Sequence, residues 1–97
     1  MKDNLEIDLT EGEAVGQALS WCAENVKGLN CHRIGLTRTY RIGHGMVPEV
    51  TLHIDAPEIR QTLAQIHGLT PTEHEPLKKF DVHEGLIGAG IWLVVQS

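Results

Sequence analysis

The chain has 97 residues, 41% of them hydrophobic and 22% charged, with a net charge of −5 at neutral pH. That length suits one domain able to bury a two-layer core, and the composition is far from that of disordered chains. The longest apolar run, IWLVV, is far short of the ~20 residues of a membrane-spanning helix, and the start MKDNLEIDL lacks a signal-peptide core; a single cytoplasmic domain over residues 1–97 is therefore expected.

The charge is unevenly placed: residues 1–25 sum to −5, residues 27–41 to +4 and residues 49–97 to −4. An acidic chain repels phosphate backbones, so direct nucleic-acid binding is not expected, and attraction to basic protein surfaces is. Two cysteines, Cys22 and Cys31, make neither a disulfide framework nor a close-spaced metal pair.

In chain order, the segment LEIDLTEGE alternates Leu5, Ile7 and Leu9 and predicts a half-buried strand. Thr10 then caps a helix over residues 11–27, with Glu13 reaching back to it and Gly28 as the stop. Its apolar stripe is Val15, Leu19, Cys22 and Val26, with Ala14, Ala18 and Trp21 on the flank. A thiol on that stripe is inert, and Cys31 is expected on the opposite face of the next strand.

Ile34, Leu36, Tyr40 and Ile42 keep even spacing and predict the second strand, which turns through GHGMV into a third over residues 48–54. Matching apolar to apolar positions pairs Ile42 with Pro48, Tyr40 with Val50 and Leu36 with Ile54, and puts Arg41 opposite Glu49. The segment VTLHIDAPE repeats the opening pattern 45 residues on, so Asp55 and Glu58 are expected to cap a helix over residues 56–67 that buries Ile59, Leu63 and Ile66 and ends at Gly68.

The polar stretch TEHEPLKKFDVHEG reads as a loop followed by a strand through Phe80 and Val82. GLIGAG is a turn, and IWLVVQS a last strand. The order βαββαβ with an added strand predicts an α+β ferredoxin-like sandwich, two helices on one face of an antiparallel sheet. Both faces of IWLVV are apolar, so a homodimer through Trp92 and Val94 is expected to cover the open face.

No convergent acid, base and nucleophile set stands out, and neither IGHGM nor GLIGAG joins a strand to a helix as a phosphate loop does. The expectation is a small acidic protein-binding module without catalysis or cofactor. It would act as an inhibitor or accessory factor of the phage or mobile-element type, such as an anti-CRISPR or immunity protein. Glu73, Glu75, Glu84, Trp92 and Val94 are its expected contacts with a basic partner. The alternative is a small enzyme or a metal- or ligand-binding protein using His53, Asp8 and Glu6 on the open sheet face.

Overall fold

A computed structural model describes residues 9–88 and 90–97, with side chains from residue 16 onward. The elements are α1 (Leu9–Asn25), β1 (Cys31–Arg41), β2 (Gly45–Ile54), α2 (Pro57–His67), β3 (Thr70–Pro71), a 3-10 helix (Glu75–Phe80), β4 (His83–Leu86) and β5 (Trp92–Gln96). The strands form one mixed sheet in the order β1-β2-β5-β4-β3, so the chain is α+β. β5 runs parallel to β2, and that pairing needs the long crossover supplied by α2 and the segment after it. The other neighbours are antiparallel.

Both helices pack on one face of the sheet. Val50, Leu52 and Ile54 of β2 share that face with Leu93 and Val95 of β5, Val50 beside Leu93 and Leu52 beside Val95, and Ala18, Val26, Leu63, Ala64 and Ile91 join them in the core. Leu52, Ile54, Ile91 and Leu93 are fully buried, and each such side chain contributes about 1.5–3 kcal/mol relative to exposure.

Several expectations are corrected. The strand over residues 5–9 lies outside the described residues except for Leu9, which opens α1. Of the expected stripe, Cys22 packs partly against the core and Val26, just past α1, is buried, but Leu19 is exposed, and Ala18 and Trp21 from the expected flank meet the core in its place. Trp21 instead meets the His67 ring edge-on, centroids 5.7 Å apart, joining the two helices.

The hairpin register differs by four residues. Leu36 faces Val50, Tyr40 faces Met46 and Arg41 faces Gly45. Gly43 and Gly45 take positive φ of 87° and 74° and His44 N–H donates to Arg41 O at 2.9 Å, so three residues close the turn and Met46 and Val47 join the strand. An irregularity between Cys31 and Arg33 sets Cys31 opposite Ile54 on the helix side, the reverse of its expected direction.

α2 begins one residue late because Pro57 occupies its first position; Ala56 is the cap residue and makes no side-chain bond. Asp55 is therefore not a cap but an exposed carboxylate 3.5 Å from His32 Nδ1. Arg60, Leu63 and Ala64 form the buried face, and Ile66 points to solvent. Gly68 ends the helix at φ 68°, while Leu69 N–H reaches back to Ala64 O at 2.8 Å. Gly68→Ala should lower stability by about 1–2 kcal/mol, the cost of a Cβ in left-handed backbone, and urea denaturation reads it.

The stretch expected as a strand through Phe80 and Val82 forms the 3-10 helix instead. Pro76 suits its first turn, and Asp81 at φ 55° stops it. β4 starts only at His83.

Candidate protein-interaction surface

The sheet face away from the helices carries a polar cluster where four side chains meet. The Arg41 guanidinium lies over the Trp92 ring, its carbon 4.2 Å from the centroid. Arg41 Nη2 is 3.3 Å from Glu84 Oε1 and 3.6 Å from Glu49 Oε1. Trp92 Nε1–H donates to the same Glu84 oxygen at 3.0 Å, and Thr51 Oγ1 donates to Glu49 Oε2 at 3.4 Å. Two carboxylates and one guanidinium are thus half-buried together on a tryptophan, which favours a fixed geometry over exchange with water.

Glu84 therefore has a structural duty that the sequence did not disclose. Glu84→Ala leaves both the Arg41 fork and the Trp92 N–H short of an acceptor, and should cost about 1–3 kcal/mol. Glu84→Gln keeps the Trp92 bond and loses only the charge, so its loss on thermal unfolding should be the smaller of the two.

Glu84 and Trp92 share the rim of a cavity of about 410 Å³ with Arg41, Glu73 and His74. Of the expected contacts, the structure thus brings Glu73, Glu84 and Trp92 together. Glu73 is exposed. Glu75 stands in the first turn of the 3-10 helix, and its Oε2 is 2.6 Å from Lys78 Nζ. Val94 is only 6% exposed, lying in register between Thr51 and Glu84. Val94 is thus covered within the chain, while Trp92 and Gln96 on the same face are half-exposed.

His53 is half-buried, its ring centroid 5.9 Å from that of His32 and its Nδ1 3.3 Å from Ser97 O. Glu6 and Asp8, its expected companions, lie outside the described residues. Among the described residues no three His, Cys, Asp or Glu side chains gather as a metal site.

Large apolar groups are exposed elsewhere. β5 pairs with β2 only from Glu49 to His53, so the turn end of the β1–β2 hairpin projects past it as a two-stranded arm. On the helix side of this hairpin Ile34, Leu36, Tyr40 and Met46 are 45%, 41%, 64% and 54% exposed. They lie along the outermost strand and its neighbour, with Arg38 between Leu36 and Tyr40 on the same face, where singly scattered apolar residues would need no explanation. The alternation was visible in the sequence, but which strand would be outermost was not.

Cys22 and Cys31 border one shallow cavity with Val26, Leu29 and Ile34. Burial, and secondly the nearness of Cys31, push the Cys22 thiol above its usual value. Its thiolate is correspondingly scarce, so Cys22 should alkylate more slowly than a cysteine in an unfolded peptide at the same pH; timed iodoacetamide labelling with peptide mass mapping checks this.

No family model, curated protein or solved structure matches this chain.

Proposed function

We propose that the protein is a small protein-binding module without catalysis, an inhibitor or accessory factor of the kind that phages and mobile elements use as antagonists, anti-CRISPR and immunity proteins among them. The observation that carries this reading is the exposed group of Ile34, Leu36 and Tyr40 on the outermost strand with Met46 beside them on β2, because several large apolar side chains close together at a sheet margin mark contact surfaces. A second support is the exposed Glu73, beside Trp92 on the opposite half of the sheet. A basic partner is attracted there, and Trp92 and Glu84 hold the rim in shape. Glu75 adds charge offset by Lys78, and Val94 supports from beneath.

The same proposal includes a single cytoplasmic domain acting without cofactor and without direct nucleic-acid contact. Among the described residues no helix is long and apolar enough to cross a membrane. The finer ferredoxin-like description of the α+β sheet also belongs to the proposal. Its first strand, expected before α1, falls on residues outside those the structure describes, apart from Leu9 in α1. Homodimerisation through the β5 face of Trp92 and Val94 is part of the proposal as well, with half-buried Trp92 as the side chain that face offers to a second copy.

The test is affinity capture from the native host with mass spectrometry, followed by association rates of the captured partner against ionic strength. Glu73→Lys with Glu75→Lys should slow association, and the deficit should shrink as salt rises, since exposed charges are screened beyond about 10 Å at 0.1 M. A rate independent of salt and equal in both proteins would remove the basic-partner reading.

A further inference from the structure

We infer that His32 and His53 form a two-histidine site for a divalent transition ion of the zinc and copper class on the open face of the sheet. The ion is neither a catalytic cofactor nor part of the partner surface proposed above.

The two rings are brought together by the irregularity at the start of β1. Cys31 faces Ile54 and Arg33 faces His53, so His32 is an extra residue with no partner of its own on β2. In a regular strand its side chain would alternate with that of Arg33 onto the helix side, and the bulge re-aims it. Its ring lies beside that of His53, with centroids 5.9 Å apart and planes tilted by 52°. With metal–nitrogen bonds of about 2.0–2.1 Å, two imidazoles on one ion hold their ring centres about 5–6 Å apart. The observed spacing is at the upper end of that span, and the exposed His32 side chain is free of packing that would stop it from adjusting.

Hydrogen bonding decides which nitrogen is offered to the ion. Ser97 O can only accept, so the 3.3 Å contact makes His53 Nδ1 the protonated nitrogen. Ser97 is held in turn, its N–H and its hydroxyl both donating to Phe80 O at 3.0 Å. His32 Nδ1 lies 3.5 Å from Asp55 Oδ1, and a carboxylate there selects the same tautomer. Both rings thus keep the lone pair on Nε2, which has no hydrogen-bond partner in either ring among the described residues. A histidine whose second nitrogen faces a carboxylate or a backbone carbonyl is oriented as metal-binding histidines are.

Imidazole nitrogen suits zinc and copper, whereas magnesium and calcium require oxygen ligands. Asp55 supplies a negative charge beside His32, and the exposed Arg33, in register with His53, opposes a cation. An anion would find Arg33 alone, since the Nε2 lone pairs and Asp55 both repel it. No third histidine, cysteine or carboxylate joins the pair among the described residues. Two positions of a four-coordinate ion are therefore left to water or to a ligand from outside the chain.

The experiment titrates zinc chloride into the full chain by calorimetry while NMR follows the imidazole signals. One equivalent should bind and shift the His32 and His53 rings before those of His44, His67, His74 and His83, and magnesium chloride should shift none. His32→Ala and His53→Ala should each weaken zinc binding by at least about tenfold, since even the outer partners of a metal-bound histidine cost that much. His32 is exposed, so its variant should keep the metal-free melting temperature, and zinc should raise that temperature in the wild type but not in His32→Ala. Arg33→Gln should tighten binding about twofold to fivefold, the range of one exposed charge contact. A zinc affinity weaker than about 1 mM, undiminished binding in both histidine variants, or equal shifts in all six histidine rings would each overturn the assignment.

Discussion

Arg60→Ala should destabilise the fold by about 2–5 kcal/mol, because two carbonyls lose their donor at about 1–3 kcal/mol each, more than any other single polar truncation in the described chain. Arg60 sits on the buried face of α2 at 6% exposure. Its Nη1 donates to Ile54 O at 2.6 Å and to Asp55 O at 2.8 Å, which ties the end of β2 to the start of the helix. Its Nε and Nη2 both reach Asp81 Oδ2 at 3.1 Å, the residue that stops the 3-10 helix in left-handed backbone. One guanidinium thus holds three chain segments, and without it two carbonyls lose their donor and Asp81 its cation. Asp81→Asn should cost less, because Asp81 is partly exposed and water can replace the lost charge interaction. Arg60→Lys should recover only part of the loss, since an ammonium cannot span carbonyls on one side and a carboxylate on the other. Urea denaturation of the three variants gives the order. A loss under about 1 kcal/mol for Arg60→Ala would mean that water reaches the two carbonyls as readily as the guanidinium does.

Arg60 also shows where reading the sequence stops. Periodicity predicts α2 within a residue of its observed limits, because Pro57 and Gly68 mark both ends through backbone constraints that need no partner. The same periodicity assigns an arginine to solvent, since its burial depends on Asp81, 21 residues away in sequence. The helix phases suffer likewise: two overlapping stripes fit α1, and only packing against β2 and α2 selects the one through Ala18 and leaves Leu19 outside.

Hairpin register is degenerate for a different reason. A shift by an even number of residues keeps every side chain on its own face, so matching apolar to apolar cannot tell Leu36 opposite Ile54 from Leu36 opposite Val50. The positive φ of Gly43 and Gly45 decides, by closing the turn in three residues. That shift also moves Arg41 from its expected place opposite Glu49 and lets it reach Glu84 and Trp92 while staying 3.6 Å from Glu49, a cluster built from four strands that no local pattern announces. The expected strand through Phe80 failed where Pro76 and Asp81 favour a tight helical turn over an extended chain.

Leu93→Ala should cost about 2–5 kcal/mol, whereas Leu36→Ala should cost well under 1, although both are leucines in strands of one sheet. Leu93 is fully buried at the centre of the sheet, between Val50 of β2 and Gly85 of β4. Gly85 brings no side chain to that face, and a Cβ built there would lie 3.4 Å from Leu69 Cδ2, so the space around Leu93 is already bounded by Leu69 from the end of α2. Removing three carbons there leaves a void that a β-sheet cannot close by shifting one strand, and the lost transfer energy is joined by the cavity cost. Leu36 sits on β1 with two-fifths of its surface in water, and its truncation removes little that folding had buried. Thermal unfolding of the two variants separates the core from the exposed group. If Leu36→Ala proves as costly as Leu93→Ala, those exposed residues belong to the chain's own core, and the surface proposed for a partner is already filled.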